Sequence, residues 1–189
     1  MQASLKQILP IEAAIICPQK FEHATIKCIP VQVTGNYSQW ILKNLKDYMS
    51  ASHSLVQQWD SCVLDPNFWT DRFLEYDYIG APWPSGPHRV GNGGFSLRSA
   101  KFLEESAKIA DLLPIGNPIY DNEDYYACVT CAGYLRMKGI KFAPLELARQ
   151  FSVERPIPES PHTYDDLSTY KSFGFHGEFC TSGMRRIEE

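Results

Sequence analysis

Residues 76–99, YDYIGAPWPSGPHRVGNGGFSLRS, carry two strand-like segments and a loop of unusual make-up. "YDYIG" is aromatic and β-branched and reads as a strand, ended by Pro82 and Pro84. "GFSLRS" is extended again, and Ser99 stands where it can cap a following helix. Between the strands lie three prolines, Trp83 and three of the stretch's five glycines. Glycine lets a backbone approach a ligand or a neighbouring chain closely. The stretch therefore reads as two strands joined by a loop that holds something.

Outward from this point, strands and helices alternate. "AAIICP" and "TIKCIPVQV" read as strands. "YSQWILKNLKDYMS" has apolar residues at Trp40, Ile41, Leu45, Tyr48 and Met49, a helical spacing with Asn36 or Ser38 as cap. "HSLVQQWDSCVL" reads as one strand stopped by "DPN", and "FWTDRFLEY" as a short helix or turn. "AKFLEESAKIADLL" presents a core stripe of Phe102, Leu103, Ala107, Ala110 and Leu113. "DNEDYYACVTCAGYLRMKG" is a third helix closed by Gly139, and "IKFAP" is a short strand. The Pro- and Gly-rich remainder, through "FSVERPIPESPHTYDD" to "FGFHG", reads as irregular. This alternation predicts a single α/β domain over residues 1–189, a mixed sheet flanked by helices.

Composition narrows the function. Of 189 residues, 44% are apolar and 21% charged, a globular balance. The net charge of −4, without a basic run, argues against a nucleic-acid partner. No apolar run approaches the ~20 residues of a membrane span. Glu12 interrupts the N-terminal apolar stretch and no small-residue cleavage site follows, so no signal peptide is expected. Six cysteines at irregular spacing fit reduced thiols and a cytoplasmic location. Cys128 and Cys131 form a lone CxxC within a helical stripe, expected to be reduced and buried instead of holding zinc.

Four groups can carry chemistry. Asp60, after an apolar strand, is expected at the end of a central strand facing a crevice, where a lone carboxylate can bind a hard cation. A turn-capping Asp is the plainer alternative. Glu123 and Asp124 can supply a general base; acidic residues also simply favour a helix's first turn, with Asp121 or Asn122 as cap. His176, among Phe and Gly, can ligate a metal or be a satisfied half-buried histidine. "GNGG" can cradle a phosphate, yet it matches neither the P-loop nor the dinucleotide fingerprint, and a tight turn is its alternative.

The order of these groups along the chain carries a resemblance. "LVQQWDSCVLDPNFWTDRFLEYDYIGAPW", "VGNGGFSLRS", "NEDYYACV", "KFAPLELARQFSVE" and "FGFHG" resemble a family of largely uncharacterised glycosyltransferase-like domains, itself similar to the GT-A-type nucleotide-sugar transferases. The likeness runs from about residue 37 to residue 177. It implies a GT-A-like fold and a divalent cation, manganese or magnesium. It also implies a nucleotide-sugar donor and a carbohydrate or other hydroxyl acceptor. Gln58-Trp59-Asp60 stands where such enzymes carry Asp-x-Asp. Asp60 would then be a metal ligand completed by His176, and Gln58 an uncharged contact to a sugar or ribose hydroxyl. The resemblance implies a donor and acceptor pocket shaped by Gly93, Gly94 and Phe95, Trp83 stacking on a sugar ring, and a base among Glu123 and Asp124. The segment before Asp60 is short for the fold, so the nucleotide-binding half is expected to be trimmed. A metal-assisted glycosyltransferase is thus the leading expectation. A non-catalytic carbohydrate-binding domain that kept the cleft is the alternative, and a metal-dependent hydrolase using Asp60, Asp124 and His176 a third.

Overall fold

The computed structural model describes residues 2–86, 88–113, 116, 122–159 and 170–177. Its centre is β6 (Phe95–Ser99), flanked by antiparallel β3 (His53–Gln57) and β5 (Tyr78–Gly80). Every residue of β6 is buried, polar and apolar alike. Strand alternation explains the pattern. Phe95 and Leu97 share one face with Ile79, and this face meets Val63, Phe73, Leu147, Phe151 and Phe173. Ser96 and Arg98 share the other with Tyr78. Tyr78 packs there on Phe102, Leu103 and Leu135, beneath the helices α2 (Tyr37–Asn44), α3 (Ala100–Ala107) and α5 (Ala132–Met137).

Both long-helix caps act as the sequence suggests: Gln39 N–H donates to Asn36 Oδ1 at 2.9 Å, and Phe102 N–H to Ser99 Oγ at 3.0 Å. A separate parallel pair joins β1 (Ala14–Cys17) and β2 (Lys27–Pro30). The third sheet has the order β4 (Ser61–Val63), β8 (Gly174–His176), β7 (Ser152–Val153), with β8 antiparallel to β4 and parallel to β7.

The mixed α/β class holds, and several details differ from the sequence reading. The expected single strand over residues 53–64 is two strands in two sheets. Gln58 N–H donates to Gly94 O at 2.8 Å, then Ser61 N–H and Oγ both donate to Gln58 O, closing a turn. β3 is an edge strand of its sheet, not a central one. The "IKFAP" strand is reduced to one bridge, Phe142 to Tyr78. The supposedly irregular tail supplies β7 and β8. The start of that remainder, also expected to be irregular, forms α6 (Leu145–Phe151). The third helix is interrupted: between α4 (Glu123–Tyr125) and α5 lies a π-helical turn, Tyr126–Thr130. Asn122 is at its N-cap without a side-chain cap bond, and Asp121 lies outside the described residues. Cys128 is buried and Cys131 half-buried, both as free thiols; Cys180 lies outside the described residues. Among the described residues no helix is long and apolar enough to cross a membrane.

Candidate functional site

Strand order brings Asp60 and His176 together. Ser61 is in register with His176 across β4 and β8, and Gly177 N–H donates to Asp60 O at 3.0 Å. Asp60 is 8% exposed, and its Oδ1 lies 3.3 Å from His176 Nε2. On the other side of β8, β7 runs directly into Glu154, whose Oε1 lies 3.7 Å from His176 Nδ1. The imidazole thus stands between two carboxylates, one from each neighbouring strand. Burial raises the Glu154 carboxyl above its ordinary range, while His176, Arg155 and the Asn92 amide act in the opposite direction.

The second group sits where α4 begins. Glu123 is buried and pairs with the buried Arg98 guanidinium at 3.1 Å. Arg98 also donates to Ser96 Oγ and Gly93 O. Asp124 is half-buried and accepts the Gly93 N–H on Oδ2 at 2.9 Å and the Tyr125 N–H on Oδ1 at 2.6 Å. Desolvation, reinforced by the neighbouring Glu123 charge, pushes the Asp124 carboxyl up from 3.8 to about 7.

The glycine-rich loop separates and fixes the two groups. A side chain at Gly94 would strike the His176 ring, and one at Gly93 would strike Glu123 and Arg98. Two consecutive residues therefore wall off the histidine on one side and the acidic pair on the other. Asn92 belongs to the same device: it is buried, its Oδ1 accepts the Gly94 N–H at 3.2 Å, and its amide reaches Glu154. Tyr37 links the groups across the rim. Its hydroxyl accepts from Gln58 Nε2 at 3.3 Å and is raised in pKa by desolvation and by the nearby Glu123 charge.

The remaining sequence candidates divide. Gln58 is at the rim with Tyr37. Phe95 is fully buried against Phe151 and Phe173, so it supports the loop from the core and cannot face a ligand. The Trp83 ring packs towards Gly91, Cys128 and Tyr125. Trp59, passed over in the sequence, is 74% exposed immediately before Asp60. Glu154, Asn92, Arg98 and Tyr37 were also missed. An arginine inside an apolar strand, Arg98, was the available signal.

The residues present fit a divalent cation. Two donors each about 2.1 Å from one ion lie roughly 3.0–3.4 Å apart, and Asp60 Oδ1 to His176 Nε2 is 3.3 Å. Asp60 Oδ1 is buried without a hydrogen-bond partner, as are Glu154 Oε2 and His176 Nδ1. Glu154 Oε1 faces the far nitrogen of the ring at 3.7 Å, an electrostatic neighbour beyond hydrogen-bond range. Only two protein donors converge on one point, which accords with the absence, among the described residues, of any group of three or more His, Cys, Asp or Glu poised for a metal.

A family model described as "Protein of unknown function (DUF5672)" matches residues 21–176, a span that contains every residue of the site. No curated protein matches the chain.

Proposed function

The chain belongs to the DUF5672 family of unknown function, and we propose that it is a glycosyltransferase of GT-A-like kind, moving a sugar from a nucleotide-sugar donor to an acceptor hydroxyl. One observation carries the reading. Gly93 and Gly94, adjacent in sequence, contact the acidic pair and His176 respectively. A turn-capping Asp60 or a helix-capping Asp124 would not require the two groups to share a wall.

Asp60 and His176 would hold a manganese or magnesium ion, with Glu154 steadying the imidazole. When bound, such an ion neutralises charge on the departing diphosphate. Asp124 is the better base of the acidic pair, because Glu123 is committed to Arg98. Each Asp124 oxygen keeps a lone pair beyond its backbone contact, and a pKa near 7 suits proton transfer at neutral pH. Asp124 takes the acceptor proton as the acceptor oxygen bonds to the anomeric carbon. The bond from that carbon to the diphosphate oxygen breaks, and its electron pair leaves with the nucleotide. Tyr37 and Gln58 offer hydroxyl and amide contacts to the donor, and exposed Trp59 offers a face for stacking.

Nucleotide release from a panel of nucleotide sugars, with manganese or magnesium and without, tests this. Wild type should release nucleotide only with metal. Asp60→Ala should lose metal-dependent donor binding, while Asp124→Asn should bind donor and not turn over. The double backbone anchoring of Asp124 favours one alternative, a carbohydrate-binding domain in which it only braces the loop. Saturable sugar binding without nucleotide release from any donor would select that alternative.

A further inference from the structure

A recess lies on the β7 side of the molecule. It has a volume of about 580 Å³ and is formed where α6 runs into β7 and where Lys171 leads towards β8. None of Asp60, His176, Glu123 or Asp124 lines it. We propose that this recess binds a small organic phosphate, a phosphate group carried on an apolar or ring-shaped body. The proposal does not rest on the transfer reading.

Charge is the first support. Among the described residues, Arg149, Arg155 and Lys171 line the recess against a single carboxylate, Glu146, so this lining is positive by two on a chain of net charge −4. Arginine forks match phosphate oxygens geometrically. Among the described residues Glu146 engages Arg149 through Nη1 alone, at 3.0 Å, and leaves Arg149 Nε buried without a hydrogen-bond partner. Arg155 is held loosely, 4.0 Å from Glu154.

The second support is independent of charge. Ser152, in the wall, is 0% exposed, and its Oγ has no hydrogen-bond partner. A buried hydroxyl without a partner is costly, and an incoming phosphate oxygen would satisfy it. The third is shape. Phe68, Pro82, Val153 and Ile157 supply apolar wall that an inorganic ion alone would leave wet. The volume falls within the roughly 300–1,000 Å³ of small-molecule sites.

Phenyl phosphate is the probe, compared with inorganic phosphate and phenol by titration calorimetry on the full chain. Phenyl phosphate should bind saturably, and at least tenfold more tightly than either fragment. The exposed-site double variant Arg155→Ala/Lys171→Ala should weaken it tenfold or more, and Ser152→Ala about fivefold. Lys171→Glu, a single change on an exposed residue, should weaken it as well and guards against misfolding of the double variant. Asp60→Ala should bind phenyl phosphate like wild type. No saturable binding, equal binding of inorganic phosphate or phenol, or unchanged binding in the Lys171→Glu and double variants would overturn the proposal. Loss of binding in Asp60→Ala would do the same, by moving the anion to the other site. Loss of nucleotide release with phenyl phosphate binding intact would count against the transferase alone.

Discussion

Arg98 is the largest of the almost fully buried side chains, and a lone guanidinium there would be untenable. Its compensation comes from Glu123, Ser96 Oγ and Gly93 O. Breaking one half of such a pair costs about 3–5 kcal/mol, because the other charge stays buried. Arg98→Met should therefore unfold the protein at much lower urea, and Arg98→Met/Glu123→Leu should recover part of the loss. At Gly94 the issue is space. Gly94→Ala should cost about 1–3 kcal/mol by overpacking against His176, and calorimetric melting with and without manganese should show metal stabilisation shrinking with it. Asp124 sets a pH dependence. With its folded value raised from 3.8 to about 7, the native state keeps a proton that the unfolded chain has released. This contribution to stability is whole below about pH 4, declines as pH rises to 7, and is flat beyond. Melting temperatures from pH 4 to 8 should show that decline in wild type and less of it in Asp124→Asn. Donor turnover should rise through the same window, since a base must be ionised.

At the level of elements, the legible parts were those with their own local signal. α2 and α3 declared themselves by period and by Asn36 and Ser99. Ser99 is doubly used: it accepts from Phe102 N–H and donates to Asp77 Oδ1 at 2.7 Å. Ser99→Ala should cost about 1–2 kcal/mol in chemical denaturation. β7 was not legible, because two residues have no period to read. The break between β3 and β4 was hidden because apolar residues flank it on both sides, Leu55 and Val56 before and Cys62 and Val63 after, while the turn is made by Ser61 hydroxyl and backbone bonds that no composition announces. The candidate site divides the same way. Asp60, His176, Glu123 and Asp124 were visible as residue types set in a resemblance. Glu154 and Asn92 owe their places to strand order and to a close loop approach, and neither leaves a local trace. Phe95 was misjudged because the alternation of β6, not its nearness to the glycines, decides which way it points.

Across the whole molecule, the two cores meet at β6, and the aromatic one is drawn from distant stretches. Phe73, Phe95, Phe151 and Phe173 have ring centroids 5.2–6.4 Å apart in the pairs Phe73–Phe151, Phe95–Phe151, Phe95–Phe173, Phe151–Phe173 and Phe73–Phe173. Phe173→Ala should cost about 3–5 kcal/mol and should loosen β8 together with the core. Native-state hydrogen exchange should then show Cys62 and Val63 losing protection with Phe175. The order β4–β8–β7 has one more consequence. The strand that supplies His176 is the middle of its sheet, yet it comes last in the chain among the described elements. Until it inserts, Asp60 and Glu154 have neither the imidazole between them nor a strand to hold them in place. A chain still growing on the ribosome can fold much of β3, β5 and β6 while having no competent centre. On the proposed transfer reading, activity would arrive in one step, with the last strand, and a molecule that has stalled or lost that strand would be silent instead of partly active.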